Sequence, residues 1–214
     1  MPAIRLIRHG QSISNAGEVT RFPGTIPLTA LGQAQAEVVA ASFVQPPRLV
    51  VFSSFERSVA TAEPLCRRFP EVPTAVWPVE EFTYLAPRRY CGTTRLDRQT
   101  AVTAYWKGLD PESRDGDGAE SFAVFWDRVE AFLARCREAA GRVAVFSHGQ
   151  FLRGVMLRVL SGPLPVPEAM GRFRAFRQAI ALPNAAMVDL VLSRRGAMLG
   201  PVTTAHLPAG MLSS

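Results

Sequence analysis

The chain has a single lysine, Lys107, among its 24 basic residues, and only three histidines and three cysteines in 214 positions. The cysteines, Cys66, Cys91 and Cys136, form no CxxC pair, and no histidine stands at a ligand-like interval from them, which argues against zinc. Their odd number and wide spacing suit free thiols in a reducing compartment better than a disulfide framework. No carboxylate cluster has metal-ligand spacing, so neither a metal nor another cofactor is expected. No apolar run approaches the ~20 residues that a membrane-spanning helix needs. The opening MPAIRLIRHGQ carries arginines inside its apolar stretch and has no small-residue cleavage site, so it does not read as a signal peptide. The expected location is the cytoplasm.

What is present is the composition of a globular protein: 48% hydrophobic, 20% charged, mean hydropathy +0.09. That length buries one substantial core, and residues 1–214 are read as one domain. The net charge of +6 comes almost entirely from arginine. A basic balance suits nucleic acid. Here, however, the arginines are scattered rather than gathered in a stripe, and aromatics do not alternate with them as in a stacking platform. A small anionic substrate explains the sign as well, and neither a nucleic-acid nor a membrane partner is expected. Oligomeric state is left open.

Short apolar runs at Ala3–Ile7, Leu49–Phe52, Ala75–Trp77 and Arg142–Phe146 read as buried strands. Helices are expected from Leu31 to Phe43, with Thr29 as N-cap, and from Ser53-Ser54 onward, with Pro64 kinking or restarting the helix. A further helix is expected over Ala119–Ala140, where Phe122, Phe125, Val129, Phe132 and Cys136 recur at helical spacing, and another after His148, ended by Pro163, Pro165 and Pro167. Ala185–Leu192 and Ala197–Ala205 read as two closing strands joined at Arg194-Arg195-Gly196. Residues 82–118, rich in Pro, Gly, Arg and aromatics without a clean period, read as a lid over a site. The expectation is a three-layer α/β/α sandwich with a mostly parallel sheet and an antiparallel edge. In such folds ligands collect at the carboxyl ends of the strands.

Arg8-His9 and His148 each stand where an expected strand ends and a glycine permits a tight turn. Any one histidine there could be a hydrogen-bonded structural residue, and Arg57, just past the second strand, could solvate a helix surface. Together they are four groups converging on one rim. Guanidinium forks match phosphoryl oxygens, so the set suits a phosphate cradle.

RHGQSISN, in which Asn15 lies six positions after His9, resembles the histidine phosphatase superfamily, which includes the phosphoglycerate mutases. It is joined in order by PLTALGQAQA from Pro27, SSFERSVATA from Ser53 and FSHGQFLR from Phe146. EEFTYL and the later AESF look like the phosphatase-type members. The resemblance implies a metal-independent phosphomonoesterase with a phosphohistidine at His9 and a pocket of Arg8, Arg57 and His148. Asn15 and Gly149 would contact phosphate. A carboxylic acid would follow the third strand, where Glu81 is matched and Glu80 is the alternative. In the lid, Tyr84, with Arg88, Arg89, Tyr90 and Trp106, is a candidate to grip the leaving group, though the aromatics could instead pack the lid on the sheet. His206 is expected to be structural or exposed. Other readings are a mutase built on the same core, a phosphate-binding adaptor without turnover, and a nucleic-acid binder.

Overall fold

A computed structural model describes residues 3–193 and 196–214. The apolar runs form six strands: β1 (Ala3–Arg8), β2 (Leu49–Phe52), β3 (Thr74–Val76), β4 (Arg142–Ser147), β5 (Met187–Ser193) and β6 (Gly196–Leu199). They make one sheet in the order β3-β2-β4-β1-β5-β6. β3, β2, β4 and β1 are parallel, β5 runs antiparallel beside β1, and β6 pairs antiparallel with β5 at the edge.

The side-chain alternation of the strands builds two cores. Along β4, Val143 and Val145 face one cluster and Ala144 and Phe146 the other, the period-two pattern of a strand buried on both faces. The second face is covered by α1 (Ala30–Ala41) and α2 (Glu56–Arg68), whose Val39, Ala40, Ala62 and Leu65 join Ala144 and Phe146. The first is covered by α4 (Phe122–Glu138), α5 (Gly149–Ser161) and α6 (Val166–Ala179), through Phe125, Val129, Leu152, Val155 and Phe173. This is the expected three-layer sandwich. Thr29 caps α1 as expected, accepting from the Gly32 amide, and Ser121 caps α4 through the Val124 amide.

Several expectations are corrected. α2 runs unbroken through Pro64, because Pro64 is itself buried with Ala62 and Leu65 and packing holds the turn that its missing N–H would loosen. The prolines after α5 do end that helix, but they also start α6: Pro165 is the N-cap and Pro167 lies in the first turn, where no N–H is required. The lid contains α3 (Gln99–Gly108), a helix that buries only Trp106 and so leaves little periodic signal. The last strand stops at Leu199, ahead of Pro201, and pairing resumes only as a bridge between Met187 and Thr203. The expected turn at Arg194-Arg195 lies outside the described residues. No helix among the described residues is long and apolar enough to cross a membrane.

Candidate active site

The register of the sheet places the two histidines. Arg8 pairs with Ser147 across β1 and β4, so the next residues, His9 and His148, leave the sheet side by side, and the His9 amide donates to the Ser147 carbonyl at 2.9 Å. Their rings lie 5.1 Å apart. Behind His9 the chain must pass very close to α1. A Cβ on Gly10 would lie 2.4 Å from the Gly32 carbonyl oxygen, and one on Gly32 would lie 2.0 Å from that of Gln11. Only glycine fits at either position.

His9 is 3% exposed, and both ring nitrogens are engaged. Nδ1 lies 2.7 Å from the Gly10 carbonyl oxygen, so it carries the proton, and Nε2 accepts from Arg57 Nε at 3.2 Å. The lone pair on Nε2 therefore faces the guanidinium. Burial, then the charges of Arg57 and Arg8, push the His9 pKa well below the ordinary 6.5, so the ring is neutral. His148 is fully buried, with Nε2 2.6 Å from Ser53 Oγ and no hydrogen-bond partner among the described residues for Nδ1. Burial, followed by nearby Arg57, also holds it well below 6.5.

Arg8 and Arg57 are 8% and 5% exposed. Arg8 Nη1 donates to the Leu182 carbonyl and its Nε is buried without a hydrogen-bond partner among the described residues, while Arg57 Nη1 donates to the Pro23 carbonyl at 2.6 Å. Burial lowers each pKa to about 10, against the opposing pull of Glu81, which leaves both charged at neutral pH.

The adjacent glutamates point apart. Glu81 lines the cavity with Arg8, His9 and Arg57, and its Oε1 accepts from the Gln150 and Phe82 amides at 2.9 and 3.1 Å. Glu80 turns to Ser54, accepting from its amide at 3.1 Å and its hydroxyl at 2.9 Å, and stands 3.9 Å from Arg128.

The cavity, about 280 Å³, is also lined by Asn15 and Tyr84. His148 and Gly149, both buried, are not among the residues that line it. A Cβ on Gly149 would lie 3.0 Å from Arg153 Nη1, a tight approach, and 3.5 Å from Arg8 Nε, an ordinary contact. Of the other lid candidates, Tyr90 lines the cavity, but Arg89 pairs with Asp115 at 2.8 Å and Trp106 is buried against Phe122 and Phe173. Arg88 is not in the wall; Arg21, Arg95 and Arg98 are. His206 stands apart, with Nε2 3.1 Å from the Ala185 carbonyl oxygen.

Sequence reasoning missed Asn184, which is fully buried. Its Nδ2 donates to the His9 carbonyl at 3.3 Å, the Gly10 carbonyl at 3.4 Å and Asn15 Oδ1 at 3.0 Å. Asn15 Oδ1 also accepts from the Ser12 amide and hydroxyl, so the oxygen is consumed and Nδ2 remains as a donor. Thr61, whose Oγ1 accepts from the Gly10 amide at 3.0 Å, and Ser53 lie inside a quoted motif but have no individual signature. Among the described residues no three His, Cys, Asp or Glu side chains are grouped to hold a metal ion.

A layered α/β protein with neutral imidazoles and buried guanidiniums at the carboxyl ends of its parallel strands is built to hold a compact anion. The chain belongs to the histidine phosphatase superfamily, branch 1, whose sequence pattern matches residues 4–194. No curated protein matches it. Among solved structures, a phosphoserine phosphatase from Entamoeba histolytica in complex with 3-phosphoglyceric acid superposes with a TM-score of 0.73 at 21% identity, over 97% of this chain and 100% of that one. The alpha-ribazole phosphatase from Shigella flexneri gives 0.72 at 22%, over 95% and 96%. A mycobacterial glucosyl-3-phosphoglycerate phosphatase gives 0.66 at 23%, over 88% and 89%. At these identities the likeness is one of fold.

Proposed function

We propose that the protein hydrolyses phosphomonoesters of small metabolites through a phosphohistidine at His9, with no metal ion. The observation that carries this reading is the bonding of the His9 ring: the Gly10 carbonyl holds the proton on Nδ1, which leaves Nε2, on a residue of the cavity wall, as the lone-pair nitrogen, and the Arg57 Nε donor it now accepts from can pass to a phosphoryl oxygen. A neutral imidazole so oriented is a ready nucleophile. Similarity to phosphatases of phosphoserine and alpha-ribazole phosphate supports the same class of reaction.

In the first step the Nε2 lone pair attacks phosphorus and the ester P–O bond breaks. The leaving oxygen takes a proton from Glu81, whose Oε2 makes no hydrogen bond among the described residues while Oε1 is anchored. In the second step water attacks the phosphohistidine and gives its proton to Glu81; inorganic phosphate leaves and the Nε2 lone pair is restored. Nδ1 keeps its proton throughout. Arg8, Arg57 and the amide of Asn15 supply fixed positive charge and donors for the phosphoryl oxygens as charge moves, and His148, its ring 5.1 Å from that of His9, backs the pocket from behind. The three free thiols support the cytoplasm as the working compartment.

Incubation with an aryl phosphate in excess chelator, followed by a quench at alkaline pH and mass mapping, tests the reading. An acid-labile phosphoryl adduct on the His9 peptide is expected in the wild type and none in His9→Ala. Turnover that vanishes on chelation overturns it.

A further inference from the structure

The cavity holds more positive charge than a phosphoryl group needs. Five arginines, Arg8, Arg21, Arg57, Arg95 and Arg98, line it with one carboxylate, Glu81. They divide by depth. Arg8 and Arg57 are buried beside His9 at the floor, whereas Arg21 and Arg95 are exposed at the mouth.

The mouth is built, not incidental. Thr20 and Thr93 form an antiparallel bridge, with the Thr20 amide donating to the Thr93 carbonyl at 3.1 Å and the Gly92 amide to the Thr20 carbonyl at 2.9 Å. This joins the loop after β1 to the lid and brings Arg21 and Arg95 to one rim. Arg98 braces the joint, its Nη1 donating to the Thr93 carbonyl at 3.1 Å and to Thr93 Oγ1 at 3.0 Å, with Asp97 opposing its charge. Arg21 and Arg95 form no ion pair or side-chain hydrogen bond among the described residues, whereas Arg89, Arg128 and Arg158 each hold a carboxylate. Arg95 is near enough for its charge to bear on Arg8. Between floor and mouth the wall is apolar and aromatic: Ile26, Tyr84, Leu85, Tyr90 and Val102.

We propose that the protein selects phosphomonoesters whose leaving group carries a second anionic group, a carboxylate or a phosphate, on a compact apolar body, and that Arg21 and Arg95 receive that group. The proposal rests on the phosphomonoesterase reading and gives its site a substrate class. A substrate with its ester phosphate at His9 and its body along the Tyr84 wall would carry the second charge to the paired arginines at the rim. Its charge would offset repulsion among like charges that one phosphoryl group leaves in part unbalanced.

The test compares 4-carboxyphenyl phosphate with 4-carbamoylphenyl phosphate, which has the same shape and lacks the charge, and adds 1,4-phenylene bisphosphate. The carboxylate should raise kcat/KM about tenfold or more over the amide, the scale of charge-assisted hydrogen bonds. The preference should shrink with added salt and fall toward one in the Arg21→Gln/Arg95→Gln double variant. Preference for the bisphosphate alone assigns the second group as phosphate; preference for both assigns shared anion recognition. No preference for either anionic ester over the amide with all three turned over, or a preference that survives the double substitution, overturns the proposal and leaves the phosphomonoesterase reading standing. If no ester is hydrolysed, that reading fails first.

Discussion

Nδ2 of Asn184 donates to Oδ1 of Asn15 at 3.0 Å across 169 residues of sequence, and the same amide touches the carbonyl that fixes the His9 tautomer. Asn184 is thus placed to position two groups of the cavity while lying behind them. Its own Oδ1 accepts from Ser213 Oγ, so the arrangement is tied in turn to the C-terminal segment.

Asn184→Ala should lower kcat about tenfold or more with a smaller change in KM, because Asn15 and the Gly10 carbonyl each lose the donor that ties them to one another. Each acceptor keeps another donor, so the loss of stability should be that of ordinary hydrogen bonds, ~0.5–1.5 kcal/mol each. Steady-state kinetics beside urea unfolding separate the two effects. A loss of stability with kcat intact would reduce Asn184 to a structural role.

The opposed directions of Glu80 and Glu81 give the second prediction. Glu81→Gln should slow hydrolysis of an alkyl phosphate by about 10² to 10⁴, the range for a positioned general acid, and that of 4-nitrophenyl phosphate far less. Glu80→Gln should show no such dependence on leaving group, since that carboxylate serves the Ser54 amide and hydroxyl. The reverse pattern would exchange the two assignments.

Acidification should destabilise the fold. His9 and His148 are held neutral, with pKa values well below the 6.5 of an unfolded histidine. Between the folded and unfolded values the unfolded chain binds more protons, so stability rises with pH in that window and is lost as pH falls below about 6.5. The slope should approach ~1.4 kcal/mol per pH unit for each histidine. Burial shifts His206 in the same direction and adds to the effect. Urea midpoints between pH 7.5 and 5.5 check this, and His148→Gln should reduce the slope by one proton.

Gly32→Ala forces a methyl to within 2.0 Å of the Gln11 backbone oxygen. Backbone cannot swing aside as a side-chain tip can, so a cost of at least ~2 kcal/mol is expected, with a fall in activity as the His9 loop is displaced. Thermal unfolding and aryl phosphate turnover measure both. An unchanged melting temperature would mean that the loop and α1 separate readily.

What was readable in the sequence is whatever local physics encodes. β1 and β4 announce themselves as apolar runs, and the glycines after His9 and His148 mark where those strands stop, so two histidines could be assigned to one rim from the chain alone. Contacts between distant segments leave no such trace. Asn184 reads as a loop residue until β5 is laid beside β1. Arg88 and Arg89 looked like substrate contacts because they sit in the lid, but Asp115 takes Arg89, and the Thr20–Thr93 bridge brings Arg21 and Arg95 to the mouth instead. α6 was hidden by reading prolines only as stop signals, although the same ring geometry suits a helix start.

The order of the sheet bears on how the chain folds. β1 precedes the other strands but is flanked by β4 and β5, so Ile4, Leu6 and Ile7 find neither neighbouring strand until the segment from Arg142 onward has been synthesised. Pairings of such long sequence separation make for slow folding. A ribosome-bound nascent chain would carry His9 at the end of an unpartnered apolar segment, open to chaperones and to aggregation, until the later strands emerge.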